Sequence, residues 1–285
     1  MASTQQAAVA AGVDGSALGL RAARWAAGEA ALRGAGLVLV AVDTGAVTGT
    51  TVGGPVPASV HEAARADHEH ALAAAVDEVR DTAAAVEVET QLRVGNPAAE
   101  LIALSRSAQL VVVGTRGHGE ITGLLVGSVA QALVGHAHGS VLVVGRNDAP
   151  DSVREGGVVV GVDGSAHGEC ALREGFAEAS ARRTALKAIH SGHDRRRGSR
   201  GAQRSSAGEL FLTEHLAPWR KLHPDVAVQE FVDDGPAARS LAGHCSDARM
   251  IVVGSRGHGG FTGLLLGSVS HALLHTAQCP LMVAR

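Results

Sequence analysis

Cysteine and long apolar runs are both scarce in this chain. Its 285 residues include only Cys170, Cys245 and Cys279, which lie in the second half without the spacing of a metal site. An odd number of cysteines leaves one without a disulfide partner, so we predict small buried or half-buried thiols in a reducing compartment. No apolar run approaches the roughly 18 residues that span a bilayer. The N-terminal stretch MASTQQAAVAAG lacks the basic region of a signal peptide. We therefore expect a cytoplasmic protein with no membrane partner.

The chain has no strong excess of charge of either sign. It carries 25 basic and 28 acidic residues, for a formal net charge of −3. This balance gives no general attraction to nucleic acid or to acidic membranes. The basic segment His193–Ser206 is interpreted as a surface loop, with a docking site for nucleic acid or protein as the alternative. The histidine pairs His68 and His70, His136 and His138, and His190 and His193 lack the i, i+4 helical spacing of a zinc motif, so we interpret them as scattered and solvent-facing.

Three common site motifs are also missing. The pattern GxxxxGK followed by Ser or Thr does not occur, which excludes a P-loop site. The segment GTRGHG differs from GxGxxG and follows the fourth predicted strand of its half, so a dinucleotide site is disfavoured. No GxSxG sequence is present, which argues against a hydrolase nucleophile elbow.

A glycine-rich loop, by contrast, is present twice. The first copy, VVVGTRGHGEITGLLVGS, covers Val111–Ser128, and the second, IVVGSRGHGGFTGLLLGS, covers Ile251–Ser268. In each, an apolar run breaks into a glycine turn and a serine then opens a helix, which exposes backbone N–H groups that suit a phosphate. The matching positions are Gly114, Arg116, Gly117, His118, Gly127 and Ser128, then Gly254, Arg256, Gly257, His258, Gly267 and Ser268.

Each residue type in this loop has a physical role. We expect the first glycine to let the chain turn without a Cβ, and the second and third to let the backbone approach a phosphate. The serine is expected to cap the following helix and hold a phosphate oxygen, and the arginine to make charge-assisted bonds. The histidine either touches a phosphate or merely covers the loop. A tight strand-to-helix connection without any ligand is the alternative for the glycines.

The repetition extends over both halves of the chain. A VDGS turn follows the first apolar stretch of each half, where the Asp either serves a ligand, forms an Asx turn, or does both. Its paired positions are Gly12 and Gly161, then Asp14 and Asp163. Because five elements recur in the same order, the chain is predicted to be a tandem duplication with domains at 1–148 and 149–285.

Strand and helix patterns alternate within each half. In the second half the predicted strands are Val158–Val162, Leu186–Ile189, Val226–Val232, Met250–Val253 and Pro280–Ala284. The predicted helices are Ala171–Ala181, Glu209–Leu222, Pro236–Cys245 and Ser268–His275. This alternation predicts an α/β fold of two doubly wound domains, each a five-stranded parallel sheet flanked by helices. In such Rossmann-like sheets, ligands bind at the carboxyl ends of the strands, where the Asp turn and the glycine loop both lie.

The spacing G-x2-G-x9-G-S, after an apolar strand and with an upstream VDGS turn, resembles the universal stress protein family. The tandem arrangement is similar to that of its two-domain actinobacterial members. The resemblance implies an adenine nucleotide alpha hydrolase-like fold that binds ATP, with Mg²⁺ beside the phosphates. It also implies that Asp14 and Asp163 lie near the ribose and that Ala41 and Ala188 contact the adenine. The phosphates would lie over the glycine loop and the serine that follows it.

The function expected from these features is a nucleotide-responsive regulator of stress physiology. A slow ATPase on the same fold and a nucleotide-free dimeric scaffold are the alternatives. We favour binding over turnover because catalysis needs a positioned base, and the loops contain a single acid, Glu120, whose counterpart is Gly260. The same difference predicts tighter ATP binding in the second half, because a carboxylate near a triphosphate repels it.

The resemblance also implies an assembly. Family members pair through the terminal strand, and an edge strand left uncovered seeks a partner. We therefore expect a pseudo-two-fold packing of the two halves, with Val141–Val144 against Leu281–Ala284, and a homodimer of whole chains.

Overall fold

A computed structural model describes residues 7–45, 58–117, 126–145, 156–192, 201–258 and 266–285. The chain divides into two compact units, Met1–Arg146 and Asn147–Arg285. The predicted boundary between 148 and 149 lies outside the described residues, so its position stays a prediction. Neither unit has a described helix that is both long and apolar enough to cross a membrane.

The first unit is a parallel sheet with helices in the connections. Its elements are β1 Val9–Gly12, α1 Ala17–Arg33, β2 Leu37–Asp43, α2 Ala58–Thr82, β3 Val88–Val94, α3 Pro97–Leu104, β4 Leu110–Gly114, α4 Ser128–His136 and β5 Ser140–Val144. The strand order is β3-β2-β1-β4-β5, and every neighbouring pair is parallel. The direction of winding therefore reverses between β1 and β4, which makes their carboxyl ends the switch point of the sheet.

The second unit repeats this topology. Its elements are β6 Val158–Gly161, α5 Ala166–Ala181, β7 Leu186–Ser191, α6 Gly201–Leu222, β8 Val228–Asp233, α7 Ala237–Gly243, β9 Met250–Gly254, α8 Ser268–Thr276 and β10 Leu281–Ala284. The strand order is β8-β7-β6-β9-β10, again parallel throughout, with the switch point between β6 and β9. The prediction of two doubly wound domains with five-stranded parallel sheets is confirmed.

The central strands of both sheets are short runs of small branched residues that helices cover on both faces. In β6 the three valines, Val158, Val159 and Val160, are all 0% exposed. In β1, the alanines Ala10 and Ala11 are buried to the same degree. Burial on both faces explains why these strands are apolar without alternation, since no position faces water.

A buried ion pair recurs on the first helix of each unit. Glu29 pairs with Arg33 on α1, and Glu178 pairs with Arg182 on α5, in each case one helical turn apart. The glutamates are 0% and 3% exposed. A carboxylate this deeply buried is tolerated only when it is paired, so each arginine offsets part of the cost of burying its glutamate.

A contact between the end of the third helix and the turn before the last strand is built differently in the two units. In the first, Ser105 Oγ accepts a hydrogen bond of 2.9 Å from the backbone N–H of His138. In the second, the Sγ atoms of Cys245 and Cys279 lie 3.3 Å apart at this place. These two thiols are buried and Cys170 is half-buried, as predicted.

The second helix of the second unit is longer than the sequence pattern indicated. It begins at Gly201, whereas the prediction began at Glu209. The predicted surface loop His193–Ser206 is therefore wrong for 201–206, and 193–200 lie outside the described residues. The first turns contain alanine, glutamine and arginine, which favour helix once the downstream turns supply a nucleus.

Candidate functional site

The Asp of each VDGS turn is held by the serine two residues further on. In the second unit, Asp163 Oδ1 accepts hydrogen bonds from the backbone N–H and the Oγ–H of Ser165, at 3.0 and 2.7 Å. Ser165 Oγ in turn accepts from Gly168 N at 3.0 Å and caps α5. Gly164 between them has φ +74°, a conformation that favours glycine. The Asx turn fixes one carboxylate oxygen and thereby orients the other.

The first unit has the same construction. Asp14 Oδ1 accepts from the backbone N–H and the Oγ–H of Ser16, at 3.0 and 2.6 Å, and Ser16 Oγ caps α1 by accepting from Gly19 N at 3.0 Å. Gly15 has φ +81°. The agreement of the two turns in every hydrogen bond indicates that the orientation of the carboxylate is a feature of the repeated unit.

The second glycine of each loop lies against this carboxylate. A Cβ placed on Gly257 would clash with Asp163 Oδ2, and a Cβ placed on Gly117 would clash with Asp14 Oδ2. The glycine is therefore required by the close approach of the Asp to the loop backbone. The structure thus brings the two sequence motifs into contact at the switch point, as predicted from the strand order.

The first glycine of each loop has a packing role, and the turning role predicted for it stays a prediction. A Cβ on Gly254 would lie 2.5 Å from His167 O, and one on Gly114 would lie 3.0 Å from Leu18 O. Both carbonyls belong to the first turn of the first helix of their unit, so glycine is needed for α1 and α5 to pack closely on the sheet. The last glycines of β1 and β6 are likewise packed, since a Cβ on Gly12 or Gly161 would lie 2.8 or 3.1 Å from a leucine side chain of the third helix of its unit.

The third glycine, not the serine after it, caps the fourth helix. Gly127 and Gly267 are the N-cap residues of α4 and α8, with extended backbone and no side-chain capping bond. The predicted capping role of Ser128 and Ser268 is therefore wrong, because each serine is already the first helical residue. The glycine N–H donates to the backbone within the loop, at 2.7 Å to Thr115 O in the first unit. The N–H groups of the first helical turn remain the ones that point toward the loop.

Comparison with known proteins agrees with this architecture. The model of the universal stress protein family matches residues 8–145 and 157–285. A universal stress protein of Mycolicibacterium smegmatis is 38% identical over 281 residues, which cover 96% of this chain and 95% of that protein. The chain belongs to the universal stress protein family.

Solved structures of the family share the fold. The crystal structure of a universal stress protein from Archaeoglobus fulgidus DSM 4304 superposes with a TM-score of 0.74 at 19% identity, covering 99% of each chain. A universal stress protein crystallised in complex with cAMP is 28% identical, with a TM-score of 0.39 over 50% of this chain and 98% of that one.

Positive charge lies beside the glycine loop of this universal stress protein. Arg256 is exposed and Arg116 is half-buried. Burial and, to a smaller extent, the positive charge of Arg256 lower the pKa of the Arg285 guanidinium, which follows β10. An anion at this end of the sheet would relieve the repulsion between Arg256 and Arg285. His258 is exposed, whereas His118, Glu120 and Gly260 lie outside the described residues.

The two alanines implied to contact adenine do not occupy equivalent positions. Val13 N donates to Val40 O, and Val162 N donates to Ile189 O, so Val40 and Ile189 correspond. The counterpart of Ala41 is therefore His190, and Ala188 lies two residues earlier in its strand. Both alanine side chains are 0% exposed. Pairing them by sequence failed because the segments after the second strand differ in length, and whether either contacts a base stays a prediction.

His190 is not the solvent-facing histidine that the sequence suggested. Its ring is half-buried, its Nδ1 lies 2.9 Å from Val162 O, and its centroid is 4.3 Å from that of Phe211. Because a carbonyl only accepts, Nδ1 carries the proton. The sequence gives no local signal for this contact, because His190 lies near the end of a strand and Phe211 lies far along the chain in the next helix.

Proposed function

We propose that this universal stress protein binds ATP at the carboxyl ends of the strands in each unit and acts as a nucleotide-responsive regulator. The observation that carries the proposal is the contact between the Asp of the VDGS turn and the second glycine of the loop, present in both units. A tight turn without a ligand needs no carboxylate oriented by two hydrogen bonds against a glycine. A ribose does, because its hydroxyls donate to such an oxygen.

The proposal extends to the phosphates and the metal ion of the ligand. From a ribose beside Asp163, the phosphates would extend toward the glycine loop and the first turn of α8, whose N–H groups and dipole favour an anion. Arg256 and Arg285 would add positive charge. No group of three or more metal-ligating side chains lies among the described residues. We propose that Mg²⁺ is held mainly through phosphate oxygens and neutralises part of their charge.

Binding, not turnover, is the activity that these residues support best. Around the phosphates, the described part of both sites supplies glycine, serine, arginine and backbone N–H groups, together with the exposed ring of His258. The proposal assigns the carboxylates of Asp14 and Asp163 to the ribose and not to the activation of water. Slow hydrolysis and a nucleotide-free scaffold are retained as outcomes of the experiment below. The cytoplasmic location, the homodimer and the pairing of the halves through their terminal strands stay predictions.

The first step of the test identifies any nucleotide that stays bound to the protein during purification. Denaturing purified chain and separating the supernatant by chromatography is expected to release adenine nucleotide. Calorimetry with ATP then compares wild type with Gly117→Ala, Gly257→Ala and the double variant. Each single variant should lose one binding event and the double variant both, because the added methyl group displaces the Asp carboxylate.

Matched controls are available in the same units. A Cβ on Gly28 or Gly243 would meet no atom within 4 Å, so Gly28→Ala and Gly243→Ala should bind as wild type does. Wild-type protein without affinity at millimolar ATP would refute the proposal in favour of the scaffold. Accumulation of ADP that disappears in the double variant would identify the slow ATPase instead.

A further inference from the structure

Three aromatic rings form a stack beside the Asp turn of the second unit. The centroid of Phe211 lies 4.3 Å from that of His190 and 4.0 Å from that of His215, with interplanar angles of 35° and 32°. All three residues are half-buried. The same unit holds a second group of three rings, in which the centroid of Phe176 lies 6.2 Å from that of Trp219 and 5.7 Å from that of His223, but it is the group around Phe211 that lies beside the Asp turn. Because the three residues are only half-buried, part of their surface is accessible to a ligand.

The first unit has no ring at any of the three places. The register of the second strand makes Ala41 and His190 equivalent. The backbone N–H groups of Leu37 and Leu186 donate to the carbonyls of Glu87 and Ala227, just before β3 and β8, and these two carbonyls align the helices α2 and α6 that precede them. Counting back from these carbonyls gives the pairs Ala71 and Phe211, and Ala75 and His215. The three alanines are at most 6% exposed. The units thus share the Asp turn and differ completely at these neighbouring positions.

The rings contact the residues on both sides of Asp163. His190 Nδ1–H donates to Val162 O at 2.9 Å, just before the Asp. A Cβ on Gly164, just after it, would lie 2.8 Å from His215 Nε2 and 3.0 Å from Phe211 Cζ. The stack therefore packs directly on the backbone that orients the carboxylate. A planar group attached to a ribose at Asp163 would lie within reach of these rings.

We propose that His190, Phe211 and His215 make the second unit selective for ligands that carry a planar aromatic base. The first unit, with alanine at all three places, recognises the ribose and phosphates without this selectivity. The inference rests on the proposed nucleotide binding and adds which unit reads the base. Stacking on aromatic side chains tolerates any base, so the expected selectivity is for the presence of a base and not for adenine over guanine.

The test compares a nucleotide with the same sugar phosphate lacking the base. Full-length Phe211→Leu, which keeps apolar volume and removes the ring, is titrated with ATP and with ribose 5-phosphate. We expect the ATP affinity of the second unit, identified as the event lost in Asp163→Ala, to fall by about 5- to 150-fold. Ribose 5-phosphate affinity and the event lost in Asp14→Ala should be unchanged. Leu210→Ala, at a 60% exposed position of the same helix, serves as the control.

Each other outcome overturns the inference in a recognisable way. A folded Phe211→Leu with wild-type ATP affinity, or with equal losses for both ligands, shows that the rings only support the turn. If circular dichroism shows that this variant is unfolded, His215→Leu takes its place with the same expectations. Wild-type protein that binds no ATP refutes the proposed function and this inference together. If wild-type protein binds ATP and Phe211→Leu does not change that affinity, the inference is refuted and the proposed function stands.

Discussion

At the scale of single residues, the protonation of His275 makes the stability of the fold depend on pH. Burial in the last turn of α8 and, to a smaller extent, the neighbouring His271 lower the pKa of His275 below its ordinary value of 6.5. The folded state thus disfavours the charged ring, and the unfolded chain binds more protons between the two pKa values. The contribution of His275 to stability is fully present above pH 6.5 and declines as the pH falls through the pKa of the folded state.

We therefore predict that His275→Gln flattens the acid side of the stability profile. Urea unfolding at about pH 8 and about pH 5 should show a smaller loss of stability for the variant than for wild type. The exposed His70 provides the control, since His70→Gln should follow the wild-type profile. A variant that loses as much stability as wild type between these two conditions would contradict the assignment to His275.

A second titration is predicted at an exposed residue. A hydrogen bond from Ser180, with smaller contributions from its own backbone N–H and from His223, lowers the pKa of Asp225. This carboxylate stabilises the fold above its unfolded-state pKa, and the effect is lost as the pH falls through the lower, folded value. Ser180→Ala should raise the pKa of Asp225, which a carboxyl-carbon NMR titration measures; an unchanged titration would exclude Ser180 as the main cause.

The residue scale also shows where sequence reasoning stops. The contact between the VDGS aspartate and the second loop glycine could be predicted because both follow strands that meet at the switch point. The stack of His190, Phe211 and His215 could not, because it joins the end of a strand to the middle of a helix across a segment without a clear pattern. The pairing of Ala41 with Ala188 failed for a related reason. Which residues of the two second strands are equivalent is decided by their backbone hydrogen bonds to β1 and β6, and a match between residue types does not show it.

At the scale of elements, the cap of α5 connects helix stability to the site. Ser165 Oγ accepts from Gly168 N and donates to Asp163 Oδ1. We predict that Ser165→Ala costs about 1 kcal/mol of stability, the usual cost of losing a helix cap. It should also weaken ATP binding in the second unit, because the Asp loses one of its two restraints. Denaturant unfolding and calorimetry measure the two effects, with the exposed Ser246→Ala as the control.

The two effects of this substitution can be separated. Adding an independent stabilising change elsewhere in the unit should restore the unfolding midpoint without restoring affinity for ATP. If affinity returned together with stability, Ser165 would act on the helix alone. The same substitution at Ser16 should behave in the same way in the first unit, since its hydrogen bonds match.

The boundaries of helices and strands could be predicted best where neighbouring residues in the sequence determine them. The buried valine runs end at glycine, and the strands β6 and β9 follow the predicted ranges within one residue. The start of α6 at Gly201 was missed because the basic composition before Ser206 was interpreted as a loop. The caps of α4 and α8 were misassigned by one position, since glycine and serine are both accepted N-cap residues.

At the scale of the whole molecule, the equivalent buried ion pairs allow each unit to be destabilised separately. Removing the charge of one partner of a buried ion pair destabilises the fold, at a cost of up to about 3–5 kcal/mol. We predict that Glu29→Gln weakens protection against hydrogen exchange in the first unit and Glu178→Gln in the second. The exposed pair of Arg65 and Glu69 gives the control, because Glu69→Gln should cost about 1 kcal/mol or less. Equal loss of protection in both units from either change would contradict the prediction.

The position of β1 between β2 and β4 affects how the first unit can fold during its synthesis on the ribosome. The strand synthesised first is central, and its pairing with β4 waits until about 100 further residues have been added. At about 5–20 residues per second, one side of β1 stays without that partner for roughly 5–20 s of translation. The second unit repeats the delay between β6 and β9. Each emerging chain therefore exposes an incomplete sheet twice, for a period set by the order of its strands and not by the stability of the finished fold.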